Sequence, residues 1–283
     1  MDLLEEHYDD YLAWLFQQSN NIVKRDTSVL YYDCTNFYFE SEQPDEDVVD
    51  EVTGEIIKGM RQYGLSKEHR PNPIVEMGLF MDSRGIPITM CLHPGNTSEQ
   101  LTAIPLEKEV LKMLPNARFI YCADVGLGSY NIRKFNSMGG RAFIVTQSIK
   151  KMSNTLKEAV FNDYDYKLLS DHTSVSISKM KNFDRFDLKN RDLYNDTAYK
   201  VIEADQLLDV GIYEDVTLKN GRTVQRKAKG ILKQRIIITF SRKIMEYQRA
   251  VRKRQVDRAR RLLKFNDPEE IKKEPNDIKT LLK

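Results

Sequence analysis

Cysteine is scarce in this 283-residue chain, and the three present, Cys34, Cys91 and Cys122, form no CxxC pair. Each lies in or beside an apolar run, where a reduced thiol packs as a small hydrophobe. A disulfide framework is therefore excluded, and a reducing, cytoplasmic setting is expected. Long apolar runs are also missing: none approaches the roughly 20 residues that cross a bilayer, so no membrane partner is expected. The start, Met1-Asp2-Leu3-Leu4-Glu5-Glu6, is acidic and lacks the basic n-region of a secretory signal. An excess of charge is absent too, with 44 Lys plus Arg against 42 Asp plus Glu. The net charge of +2 says little by itself, and the distribution of charge matters more. What remains is 41% hydrophobic and 10% aromatic, enough for one large domain or for a core with an inserted subdomain.

Apolar positions at Leu3, Leu4, Tyr8, Tyr11, Leu12, Leu15 and Phe16 recur at helical spacing, so residues 1–27 read as an amphipathic helical extension. A first strand ends near Asp33 and extends toward Phe37-Tyr38-Phe39; the polar stretch Glu40 to Glu55 reads as loop or helix. Two strands, Pro73 to Met81 and Ile86 to Leu92, flank Asp82-Ser83-Arg84-Gly85 and predict a hairpin. A helix is expected from Glu99 to Leu114 after a Thr97 or Ser98 cap. A strand ending at Asp124, a short helix capped by Ser129 and a strand over Arg141 to Thr146 follow. The order is three strands, helix, strand, helix, strand: a meander followed by crossovers, hence a mixed sheet flanked by helices over 28–150. That is the order of a ribonuclease H-like α/β fold. Residues 151–240 read as a β-rich insertion, with Lys219-Asn220-Gly221-Arg222 as a hairpin turn and Gln234 to Phe240 as a strand. Residues 241–283 read as a basic helix followed by a frayed tail.

Asp33 and Asp124 each close a strand-like apolar run. A carboxylate in that position is delivered to a sheet edge, where two from neighbouring strands could share a hard cation such as Mg²⁺. The alternative is that each merely caps a strand or starts a turn. In a ribonuclease H-like sheet the first and fourth strands are adjacent, so the two acids are expected to meet.

The chain resembles the DDE transposases of bacterial insertion sequences. The residues that carry the resemblance are Tyr32-Asp33-Cys34-Thr35 with Phe37, Gly64-Leu65-Ser66-Lys67 with Arg70, Gly78-Leu79, Gly85-Ile86-Pro87-Ile88, Pro94-Gly95-Asn96 with Glu99, and Ala123-Asp124-Val125-Gly126 with Ser129. The resemblance implies that Asp33 and Asp124 are catalytic, metal-binding acids for Mg²⁺ or Mn²⁺, in a two-metal displacement at phosphorus. It implies Mg²⁺-dependent DNA strand cleavage and transfer, with transposon ends and target DNA as partners and a homodimer left open. It also implies a third acid, a Glu on a later helix in a Tyr-x₂-Arg-x₃-Glu-x₆-Lys pattern. That pattern is absent: Tyr247-Gln248-Arg249-Ala250 has Ala where Arg is needed, and Tyr130-Asn131-Ile132-Arg133 puts Ser137 at the Glu position. Glu246 is a weak substitute. A truncated, impaired piece of a longer transposase is therefore expected.

Arg249, Arg252, Lys253, Arg254 and Arg258 on the basic helix are candidates for DNA phosphates, as are Lys67 and Arg70. Against this stands a solvated face over a packed Ile244, Tyr247, Val251 and Leu262 stripe. His69 and His93 suit turn and surface roles, because hard cations prefer oxygen. Cys34 and Cys122 suit core packing, since a thiolate site needs softer ions and further ligands. Two other functions stay open: a catalytically dead remnant that only binds DNA or a partner transposase, and a nuclease on the same fold.

Overall fold

The computed structural model describes residues 6–114, 118–218 and 221–265. The chain divides into two compact units, Met1–Lys151 with Gln206–Leu232, and Met152–Asp205 with Lys233–Lys283. The first unit opens with helix α1 (Tyr8–Ile22), which buries Leu12 and Phe16. Strands β1 (Val29–Tyr38), β4 (Ile74–Met81), β5 (Pro87–Pro94), β6 (Ile120–Ala123) and β7 (Ala142–Val145) form one sheet in the order β5-β4-β1-β6-β7. β1, β4 and β5 pair antiparallel, whereas β6 lies parallel to β1 and β7 parallel to β6. Helix α2 (Glu99–Met113) connects β5 to β6, and the short helix α3 (Tyr130–Phe135) connects β6 to β7. This is the ribonuclease H-like arrangement: a meander that continues into parallel crossovers, with helices against the sheet.

Alternation along β1 decides which side chains enter the core. Leu30, Tyr32 and Cys34 are buried while Tyr31 and Asp33 face outward. The inward set packs with Phe80 and Tyr121 and with Ala103, Leu106 and Val110 of α2. The Tyr32 ring lies 4.7 Å from Phe80, and its hydroxyl meets Thr102 at 2.5 Å, so the buried phenol is both packed and bonded. The turn between β4 and β5 forms as expected: Gly85 takes φ +76°, and Asp82 accepts backbone bonds from Arg84 and Ile86. Arg25 ties α1 to this turn, with Nε 2.6 Å from the Asp82 carboxylate, both side chains buried.

The stretch expected as loop or helix between Glu40 and Glu55 holds part of a small ribbon instead, β2 (Val48–Val49) against β3 (Ile56–Ile57). Its reversal is stabilised locally: Asp50 Oδ1 accepts from the Val52 and Thr53 amides, and Gly54 sits at φ +71°.

In the second unit, the short helices α4 (Asn154–Phe161), α5 (Ile177–Asn182) and α6 (Arg191–Asn195) accompany strand β8 (Lys167–Leu168). Strands β9 (Ala198–Thr217) and β10 (Thr223–Phe240) form a long hairpin whose distal part belongs to the first unit. The turn around Lys219-Asn220 lies outside the described residues, although its ends close through Leu218 N to Arg222 O at 2.8 Å. Helix α7 (Arg242–Phe265) is the basic helix. Of the stripe weighed against a DNA-binding face, Ile244 and Tyr247 are each 62% exposed and Val251 and Leu262 are half-buried, while Ala259 is buried. Among the described residues, no helix is long and apolar enough to cross a membrane.

Candidate active site

Strands β1 and β6, which lead to the two aspartates, run parallel in a fixed register. Val29 faces Ile120, Leu30 faces Tyr121 and Tyr31 faces Cys122. Two residues beyond that last pair stand Asp33, still within β1, and Asp124, just past the end of β6. Asp33 shares the sheet face of Tyr31, opposite the core face of Tyr32, and both aspartates are exposed. β6 ends at Ala123, and Asp124 caps a 3₁₀ turn over Val125–Leu127, whereas β1 continues to Tyr38 along β4. The carboxylates therefore sit where the sheet splits.

Backbone bonds orient each of them. Asp33 Oδ1 accepts from the Cys34 amide at 2.9 Å, and Asp124 Oδ1 accepts from the Gly126 amide at 2.8 Å. Each keeps its second oxygen out of those bonds. Such a donor set, oxygen only and anionic, fits a hard divalent cation, which is held by one or two carboxylates plus substrate phosphates. Among the described residues, no group of three or more His, Cys, Asp or Glu side chains is placed to hold a metal ion.

Other polar groups gather beside the pair. Glu99 begins α2, and its neighbour Gln100 donates to the Gly126 carbonyl at 2.9 Å, fixing the helix start on the bend after Asp124. A Cβ on Gly126 would lie 3.4 Å from Asp124 Oδ1 and 3.7 Å from Glu99 Oε2, so the two carboxylates flank this glycine. The Lys67 ammonium meets Glu99 at 3.2 Å and also donates to the Cys34 carbonyl. Burial opposes the charge on Lys67, but the bond to Glu99 and the charges of Glu99 and Asp33 hold its pKa above the usual lysine value.

Behind them Glu76 is 5% exposed. Its Oε1 takes a long 3.5 Å bond from Asn36, and its Oε2 has no hydrogen-bond partner. Burial, reinforced by the nearby charge of Glu99, raises the Glu76 pKa. Ser66, Lys67, Glu76, Asn96, Glu99 and Gly126 line a cleft of about 550 Å³. Glu76 had no place among the sequence candidates. The available signal was a lone acid inside the apolar run Ile74-Val75-Glu76-Met77.

Arg70 stacks over the Tyr38 ring at 4.4 Å and pairs with Glu68 at 3.4 Å. His69 is exposed at φ +58°, and His93 Nε2 lies 3.1 Å from Cys91 Sγ. Burial raises the thiol pKa values of Cys34 and Cys122, consistent with packing rather than ligation. Arg249, Arg252, Lys253, Arg254 and Arg258 are exposed along α7 in the second unit. Glu246, the weak substitute for the third acid, lies in the second unit. Its carboxylate is taken by Arg242 at 2.7 Å, Arg185 at 2.6 Å and the Tyr194 hydroxyl at 3.2 Å. The bond from Arg242, followed by that from Arg185, holds its pKa below the usual carboxylate value despite some burial.

No protein-family model and no curated protein matches the chain. Among solved structures it is similar to a Mos1 transposase paired-end complex with the left transposon end, at 14% identity over 48% of this chain and 40% of that chain, TM-score 0.27. It is similar to a Mos1 mariner paired-end complex with Mn at 14% identity over the same shares, 48% and 40%, TM-score 0.28. A piggyBac transposase synaptic complex with hairpin DNA is similar at 12% identity over 71% of this chain and 32% of that chain, TM-score 0.32. The chain thus spans about 40% of the length of the Mos1 chains.

Proposed function

We propose that this chain is a DDE-type transposase of the insertion-sequence kind, acting on the phosphodiester backbone of DNA with Asp33 and Asp124 as its metal-binding acids. The observation that supports this is the parallel register of β1 and β6, beyond whose last pair, Tyr31 and Cys122, each chain runs two residues on to an exposed aspartate. The residues that resemble insertion-sequence transposases, Asp33 and Asp124 among them, lie in the same unit.

Two carboxylates brought to one site repel, and a bound cation offsets that repulsion. A divalent ion there would activate the attacking hydroxyl and stabilise the leaving oxygen of an in-line displacement. The chain's own contribution is positional. The Cys34 and Gly126 amides hold one oxygen of each aspartate and leave the other for a cation. Lys67, held on Glu99 beside Asp33, stands ready to meet a phosphate oxygen entering next to the pair.

The test is nicking of a supercoiled plasmid by the full chain with Mg²⁺ or Mn²⁺. Cleavage that Asp33→Ala or Asp124→Ala lowers at least about a hundredfold, the scale at which single catalytic groups act, is the expected outcome. Cleavage indifferent to both substitutions overturns the assignment. A second reading, a chain that binds DNA without cutting it, is favoured by the engagement of Glu246 with Arg185 and Arg242. Metal bound at the pair with no nicking by the parent chain supports that second reading.

A further inference from the structure

A further cleft of the first unit is distinct from the one beside Glu76, and its charged lining residues are all basic. It measures about 730 Å³, and its lining includes Arg133, Lys151, Lys227 and Lys229. No Asp or Glu is among the described residues that line it. In a chain with 44 basic and 42 acidic residues, a lining of that kind does not follow from composition. The floor comes from the core. Arg133 is buried, donating from Nε to the Gly128 carbonyl at 2.7 Å and from Nη2 to Gln147 at 2.7 Å. One wall comes from the distal hairpin, where Lys227 and Lys229 flank the buried Ala228 and are themselves exposed.

Two contacts seat the hairpin on α3. Asn131 donates to the Val210 carbonyl at 3.4 Å. At Gly230 the backbone comes so close to the Tyr130 ring that a Cβ would stand 2.5 Å from two ring carbons. A side chain at position 230 would force the Tyr130 ring to shift. Val125 and Gly128 line the cleft too, so it opens beside the bend that Asp124 caps. Gln100 lines both this cleft and the smaller one holding Lys67 and Glu99.

We propose that this basic cleft grips the sugar-phosphate backbone of DNA and leads it past Asp124, with Lys151, Lys227 and Lys229 as phosphate contacts. The proposal rests on the function proposed above and gives the distal hairpin a part in it. Residues i and i+2 of a strand stand about 6.7 Å apart, comparable to the separation of consecutive phosphates. Lys227 and Lys229 thus present a ladder of charge suited to a polymer backbone. Ser129, Asn131 and Ser148 add neutral hydrogen-bonding groups of the kind that position a backbone without reading its sequence.

The experiment is fluorescence anisotropy of a labelled DNA duplex with the full chain in EDTA, across a salt series. Replacing all three lysines by glutamine is expected to make the slope of log Kd against log salt shallower by about 0.9 for each phosphate that is no longer neutralised. The three corresponding Lys→Arg substitutions together are expected to restore it. Gly230→Ala is expected to weaken binding as well, by displacing the wall that carries Lys227 and Lys229. A glutamine variant, folded by circular dichroism, that keeps the parent slope and affinity overturns the proposal. So does competition by polyglutamate as effective as that by unlabelled DNA. Because EDTA removes the metal from the assay, loss of binding in the lysine variant supports the cleft even if Asp33 and Asp124 prove not to bind a cation.

Discussion

Glu107 provides a pH-dependent handle on the first unit. It lies on the buried side of α2 with its carboxyl fully out of water, where Asn136 donates to Oε2 at 2.8 Å and Arg141 Nε stands 3.5 Å from Oε1. Burial dominates, the Asn136 bond and the Arg141 charge oppose it, and the pKa is pushed up to about 7 from an ordinary 4.5. The folded chain therefore holds a proton that the unfolded chain releases above about pH 4.5. Stability from this group is complete below that pH and is lost as pH rises through about 7. The difference between the two values corresponds to about 3 kcal/mol. Glu107→Gln keeps the shape and removes the titration. Relative to the parent, the variant should gain about 3 kcal/mol between pH 4.5 and 8. Urea unfolding followed by the fluorescence of Trp14, the one tryptophan of the sequence, reports on the unit that contains Glu107. A parent–variant difference that does not change with pH would refute the argument and leave Glu107 ionised against Arg141.

Arg25→Ala strands the buried Asp82 carboxylate and removes the bonds to the Ile86 and Pro87 carbonyls. It should cost about 3–5 kcal/mol, and a melting temperature close to the parent's would contradict that. Gly78→Ala places a Cβ 2.5 Å from the Tyr32 hydroxyl and 3.1 Å from Cys91 Sγ. A destabilisation of about 1–3 kcal/mol is expected from such overpacking, and a stability change near zero in urea would mean that the sheet yields more easily than its packing implies. Glu246→Gln loosens the pairs to Arg185 and Arg242 and should leave cation affinity unchanged. A tenfold drop in Mn²⁺ affinity in that variant would return Glu246 to the metal site.

The parts of the fold that could be read from the residues are those in which local chemistry and global packing agree. The β4–β5 hairpin has an Asp-Ser-Arg-Gly turn whose glycine takes φ +76°, between strands long enough to show their pattern. The adjacency of the strands that lead to Asp33 and Asp124 was accessible because both residues close apolar runs and the element order makes those strands neighbours. The β2–β3 ribbon was not: two residues on each side give no period, and an Asp50-centred turn does the organising. Helices α4, α5 and α6 span eight, six and five residues, too short for a 3.6-residue period to declare itself. On α7 the stripe through Ile244 and Tyr247 satisfies helical spacing, yet tertiary packing buries Ala259 instead. Glu76 and Glu99 join the site through the close approach of β4, the Lys67 loop and the start of α2, which spacing along one chain cannot express.

The central claim is that Asp33 and Asp124 share one cation. Titration of the full chain with Mn²⁺, followed by electron paramagnetic resonance of the free ion, tests it most directly. A site in the parent chain that weakens at least tenfold in Asp33→Asn and in Asp124→Asn alike is the predicted result. Undiminished binding in either variant would contradict it.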